Sequence, residues 1–277
     1  MQSFTEKIVA AALRSTMVAA GLLSFAGGAM AADIKAPERI TSAGKIVFCS
    51  DISGPPLGFF DENSQPTGSD IDLGNEIAKR LGVKAEWANT PFSGIVPALQ
   101  AKNCDAILSQ LFDKPARREV IDFVDYMYSS QALLVAKGNP KNIKSLDDLS
   151  GIKIAAENGT TIQSLVEDQN KKFAEAGKAP ANLVIFPKDN DARQALQIGQ
   201  VDVYGTTLES AGYFLSKAGH IFDIGGEPFG KILTGIGIRK DDPELKAAIQ
   251  AAYDSMKADG SHLAILKKWG MEGDVLN

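Results

Sequence analysis

The chain has 277 residues, 44% of them hydrophobic and 23% charged, with a formal net charge of −5. This composition suits a globular protein of two modest domains. Its acidic balance excludes the basic footprint of a nucleic-acid binder.

Lys7 and Arg14 accompany an apolar, small-residue run over residues 15–29, and Ala29-Met30-Ala31 forms an A-x-A cleavage site. The pattern predicts a secretory signal peptide at residues 1–31, with an apolar core too short to span a membrane. Its removal shifts the net charge from −5 to −6, because Lys7, Arg14 and Glu6 together carry +1. No later run approaches about 18 apolar residues, so the expected product is soluble and exported. Cys49 and Cys104 could then form a disulfide in an oxidising compartment. Cys49 falls late in its expected strand and Cys104 at the very start of another, an offset of several residues in a parallel pair. The spacing therefore favours two buried thiols. The only histidines are His220 and His262, and no C-x-x-C occurs, so no structural zinc site is expected.

Residues 45–50 read as a buried strand ended by Asp51. Residues 52–68 are rich in turn formers and include Phe59 and Phe60, which suggests a loop with a short hairpin. A helix over 70–81 has Ser69 as its expected cap and Leu73, Ile77 and Leu81 on one face. Asp70 and Asp72 complement its positive end, Lys79 and Arg80 its negative end, and Gly82 stops it. A strand at 84–88 and a helix from Phe92-Ser93-Gly94 through Leu99 follow.

A strand at 106–108 then leads into a polar loop that presents Arg117 just after Pro115. A guanidinium is a planar, permanently charged fork that matches a carboxylate in two parallel bonds. Open α/β sheets bind ligands beyond the C-terminal ends of their strands. Arg117 is thus a candidate anchor for an acidic group, or else a solvated helix charge beside Arg118.

Further strands are expected at 132–137, 152–156, 183–186, 201–204, 221–224 and 232–239. Helices are expected at 162–176, 191–198 and 208–217. Asp242 caps a last long helix with Pro243 at its first position and Gly260 at its end, and a short helix carries Leu266 and Trp269. The alternation predicts parallel α/β units in both halves.

The order of these pieces resembles the family 3 extracellular solute-binding proteins, the amino-acid receptors of bacterial ABC importers, from about Lys45 to Trp269. The most specific piece runs from Gly68 to Leu81, with Ser69 where an aromatic or aliphatic residue is usual. Residues 92–99, Arg117 followed by Phe123, Gly159-Thr160-Thr161, and the stretch 256–260 add to it. The resemblance implies a two-lobed, type II periplasmic binding protein fold with two hinge crossings. Lobe 1 would be 36–129 plus 233–277, and lobe 2 would be 130–232. It also implies a periplasmic location, a membrane permease as partner, a monomer, and no cofactor or metal.

By resemblance, Arg117 binds the ligand α-carboxylate, and Thr160 and Thr161, beside Gly159, hold it from the other lobe. A helix start independently favours an anion, while a threonine N-cap is the alternative reading. Asp51 matches an acid that meets cationic or polar ligand groups, or else is a turn aspartate. Phe92 matches an aromatic wall of the cleft, or else is core. Two departures stand out. Phe112 replaces a usual Ser or Thr, and Thr207 replaces the acid that pairs the ligand ammonium. Asp51 or Glu209 would then take that role, or the ligand is not an ordinary α-amino acid but an amino-acid derivative, an opine-like compound or a small carboxylate. Gln110 could add a polar contact. Competing readings are a dehydratase-like enzyme on the same scaffold, although no nucleophile–base motif is visible, and a receptor for a sensor kinase.

Overall fold

Residues 34–276 are described in the computed structural model, so the expected signal peptide at 1–31 lies outside the described residues. A short helix α1 (Glu38–Ala43), not anticipated from the sequence, buries only Ile40. Six residues with one apolar anchor leave no periodicity to read. Strand β1 (Lys45–Ser50) then enters the core. A small hairpin, β2 (Phe59–Phe60) and β3 (Pro66–Thr67), fills the turn-rich segment.

Helix α2 (Ser69–Arg80) begins at Gly68, and no side chain caps it; Ser69 is the first helical residue rather than the cap. Its aspartates do more than complement the dipole. Asp70 is fully buried and accepts hydrogen bonds from the Tyr126 hydroxyl (2.7 Å) and the Gln110 amide (2.8 Å). Asp72 accepts from Lys268 and from the Trp269 indole, both at 2.7 Å. Gly74 lets α2 lie flat against the sheet, since a Cβ there would stand 2.6 Å from the Trp87 ring. That ring stacks on Phe48 at 5.1 Å.

The first half continues with β4 (Lys84–Asn89), α3 (Ile95–Gln100), β5 (Ala106–Ile107) and the single-turn α4 (Pro115–Arg118). The second half holds β7 (Lys153–Glu157), α5 (Thr161–Glu175), β8 (Asn182–Phe186), α6 (Asp189–Gln197), β9 (Val203–Thr207), α7 (Leu208–Ala218) and β10 (Phe222–Ile224). Helices α8 (Pro243–Asp259) and α9 (Ser261–Lys268) return to the first half. Asp242 caps α8 by accepting from Leu245 N–H, and Gly260 ends it in a left-handed conformation.

Two strands join the halves. β6 (Ile121–Ala136) is one continuous strand of 16 residues, not an apolar end followed by a separate strand at 132–137. At about 3.3 Å per residue it is roughly 50 Å long. It pairs antiparallel with β11 (Phe229–Arg239), from Ile121↔Arg239 to Gln131↔Phe229, with register shifts between Phe229 and Ile232 and between Thr234 and Gly235. The sheet order is β4-β1-β5-β11-β6-β9-β7-β8, with β10 beside β6. β1 is parallel to β4 and β5, and β7 is parallel to β8 and β9.

Each half is apolar on both faces of its sheet. In the first half, Phe48, Leu73, Ile77, Ile249 and Tyr253 pack on one face, and Leu99, Ile107 and Ile121 on the other. In the second, Leu134, Tyr204 and Phe214 form one cluster, and Leu133, Ile154 and Val166 another. Burial on both faces explains the nearly continuous apolar runs of these strands.

The cysteine reading requires correction. Cys49 and Cys104 are disulfide-bonded, with Cα atoms 5.6 Å apart. The two strands do not start level. β5 enters opposite Phe48, three residues into β1, and Asp105 N–H already bonds Val47 O. The bend just before β5 is thereby brought beside Cys49.

Candidate functional site

A cleft lies between the two halves. It is built mainly from the chain just past the C-terminal ends of β1, β5, β7, β8 and β9, where α/β sheets expose backbone and helix starts. Of the residues singled out in the sequence, Asp51, Phe92, Gln110, Phe112, Arg117, Thr160, Thr161 and Thr207 line it. Gly159 does not. It sits where the halves meet, with φ +82°, and a Cβ there would lie 2.9 Å from Ser93 Cα.

Arg117 projects from α4 onto the Phe92 ring, its guanidinium carbon 5.5 Å from the ring centroid. Nη1 donates to the Phe112 carbonyl at 2.9 Å. Phe112 therefore supplies a backbone acceptor where its side chain offers none. Burial lowers the Arg117 pKa to about 10, and no carboxylate offsets that cost. Among the described residues Arg117 has no ion-pair partner, unlike Arg118 next to it, which pairs with Asp113.

Thr160 stands at the N-cap of α5 without capping it. Its hydroxyl turns back to donate to Glu157 O at 2.7 Å. The start of this 15-residue helix thus faces the cleft with no side-chain cap. Free N–H groups and the positive end of the dipole favour an anion there.

Thr207, at the position of the expected ammonium partner, caps α7 by accepting from Ser210 N–H and donates to Gln110 Oε1 at 3.3 Å. Glu209 is not among the cleft-lining residues. It is buried, and its Oε2 accepts from Gln110 Nε2 (2.8 Å) and Ser129 Oγ (2.9 Å). Burial raises its pKa to about 7. Gln110 itself has φ +44°, a costly conformation for a non-glycine residue. The bond from its amide to Asp70 holds it there.

Sequence reasoning missed two acids. Glu157, the last residue of β7, and Asp189, the first of α6, line the cleft with Asp51. Asp51 accepts from Phe92 N–H at 2.9 Å. Asp189 accepts from the Tyr204 hydroxyl, and its own N–H donates to Ser53 Oγ across the cleft at 3.2 Å. Burial, then Asp189 and Asp51, raise the Glu157 pKa far above the carboxylate range. Burial also raises Asp189, against the Tyr204 bond. The available signal was position: each acid stands at or just after the C-terminal end of a parallel strand.

Contacts across the gap describe a closed arrangement. Besides Ser53–Asp189, Gly159–Ser93 and Gln110–Glu209, Phe59 packs on Tyr213 at 5.9 Å.

Residues 46–272 match the family model of bacterial extracellular solute-binding proteins, family 3. The lysine/arginine/ornithine-binding periplasmic protein of Escherichia coli is 31% identical over 229 residues, covering 79% of this chain and 85% of that one. An ancestral arginine-binding protein bound to arginine superposes with a TM-score of 0.76 at 35% identity, covering 82% of this chain and 98% of the other. An ancestral amino acid-binding protein, a precursor of cyclohexadienyl dehydratase, gives 0.76 at 33% identity, with 83% and 97% covered. These neighbours share the two-lobed, type II periplasmic binding protein fold. The chain belongs to the bacterial extracellular solute-binding proteins, family 3.

Proposed function

We propose that this protein is the periplasmic receptor of an ABC importer and captures an amino acid or a related small carboxylate by closing two lobes around it. The observation that carries this reading is Arg117: a half-buried guanidinium in the cleft lining with no protein anion to neutralise it. The ligand carboxylate supplies that anion. Arg117 grips it from lobe 1, residues 36–129 and 233–277. Thr160, Thr161 and the start of α5 grip it from lobe 2, residues 130–232. Phe92 forms a wall beneath Arg117, and Gln110 and Thr207 link the lobes at the rear. Binding drives closure because both sets of contacts reach one carboxylate only when the cleft is shut. The closed form of a monomer, exported with residues 1–31 removed, then docks on a membrane permease.

One observation favours a second reading, an enzyme: the paired acids Glu157 and Asp189 line the cleft of a fold that superposes on a precursor of a dehydratase. A protonated carboxyl can act as a general acid. Proton NMR of excess ligand incubated with the protein separates the two, since turnover would favour the enzyme.

The receptor reading is tested by a thermal-shift screen over amino acids, opines and small carboxylates. A true ligand at 100 times its Kd stabilises by about 2.7 kcal/mol. A screen in which only compounds without a carboxylate raise Tm would remove the proposal.

A further inference from the structure

Glu209 stands in the first turn of α7, is 6% exposed, and does not line the cleft. Its Oε2 accepts from Gln110 Nε2 of the first half and from Ser129 Oγ of the crossing strand β6. Its Oε1 is buried and receives no hydrogen bond. Gln110 does line the cleft, and its carboxamide is held by the crossing strand and the second half: Nε2 by Glu209 and Ser129, Oε1 by Thr207. This knot lies where the crossing ladder is interrupted. β6 and β11 lose register between Phe229 and Ile232, which pair with Gln131 and Ser129, and Gly230 between them has φ +64°. A bulge disrupts its ladder locally and bends the strand, which makes this point a pivot.

The charged groups around Glu209 do not neutralise it. Asp274 repels it from the C-terminal tail, which reaches β6 through the Met127–Val275 bridge. Lys231 of β11 lies over the Tyr128 ring at 4.4 Å and acts on Asp274, as does Glu272. Tyr126 of β6 gives its hydroxyl to Asp70 of α2, which also holds the Gln110 amide. The Glu209 N–H, Ser129 and Thr207 favour the ionised carboxylate, and so does the start of α7. Burial first, then Asp274, outweigh them and raise the carboxyl to about 7.

We propose that Glu209 is a latch at the hinge: it fixes Gln110 when the lobes shut, and closure takes up one proton from solvent at its carboxyl, so that acid favours the closed form even without ligand. This rests on the lobe motion of the receptor reading above. Rotation at the pivot draws Gln110 off Glu209 and admits water, and the carboxyl then ionises like an ordinary glutamate. Shutting the lobes withdraws it from water with one oxygen bare, where the charge is disfavoured. The closed form therefore binds the proton more tightly, and closure strengthens as pH falls through about 7. The protonated carboxyl still accepts from Gln110 and Ser129 through Oε2, so the latch stays made.

The test is single-molecule energy transfer in the full mature chain without ligand, between dyes on Glu62→Cys and Lys171→Cys, exposed positions on the two lobes. It counts closed and open molecules directly. The closed-to-open ratio should rise about tenfold from pH 8 to pH 6, as uptake of one proton near pH 7 requires. Glu209→Gln keeps the acceptor and carries no charge, so it should hold the high ratio at every pH. Asp274→Asn removes the repulsion and should move the midpoint to lower pH, a change that a merely structural glutamate would not produce. A ratio independent of pH in the unmutated background overturns the latch. So does a Glu209→Gln variant that keeps the pH dependence, which would assign the proton to another acid such as Glu157. Neither result touches the receptor reading, because no ligand is present. A latch that titrates as expected in a chain that binds no carboxylate in the thermal-shift screen overturns that reading alone.

Discussion

Arg117 and Arg118 are adjacent, identical in type and opposite in fate. Arg118 is exposed and paired with Asp113, whereas Arg117 is half-buried against Phe92 with no acid beside it. Withdrawing an unpaired charge from water is costly, and on the proposed reading a ligand carboxylate offsets that cost only in the bound state. Each charge-assisted bond it makes contributes about 1.5–3 kcal/mol. Arg117→Ala should therefore weaken ligand binding by at least tenfold in calorimetry, and unchanged affinity would take the residue out of the site. The candidacy of Arg117 was legible in the sequence because it follows a strand and a proline. Asp70 was legible only as a helix-start acid; its hydrogen bonds come from Gln110, just past β5, and Tyr126, in β6, which only the folded chain brings to it.

At the level of elements, the junction between β7 and α5 sets how far the cleft can shut. Gly159 holds φ +82° and lies against Ser93 of the facing lobe, where a Cβ would come within 2.9 Å of backbone. Gly159→Ala should therefore strain the backbone and also prop the lobes apart. Gly177 is the control, since it has φ +66° with nothing within 4 Å of a Cβ. Both alanine variants should lose stability in urea unfolding by about 1 kcal/mol. Only Gly159→Ala should lower affinity several-fold and blunt the ligand-induced contraction seen by small-angle scattering. Equal ligand affinities in the two variants would show that the contact does not limit closure. The glycine and both threonines were visible as a motif. What Gly159 touches was not, because Ser93 lies in another element and meets it only in the folded chain.

On the scale of the whole molecule, three devices tie distant segments: the crossing strands β6 and β11, the Gln110–Glu209 link between lobes, and the Cys49–Cys104 bond. The bond closes a loop across 55 residues, which restricts the unfolded chain, so its loss should cost about 2–4 kcal/mol. Urea midpoints measured with and without reductant check this, and coincident midpoints would show that the thiols are free. The sequence alone determined the alternation of strands and helices and the family, and offered Arg117 as a candidate, because periodicity, caps and short motifs are local properties of the chain. Only the tertiary structure decided the cysteine pairing, the continuous hinge strand, and the meeting of Asp51 with Glu157 and Asp189. Strand register and lobe closure fix those contacts, and both depend on packing between segments some 50 to 140 positions apart, for which a single sequence carries no local signal.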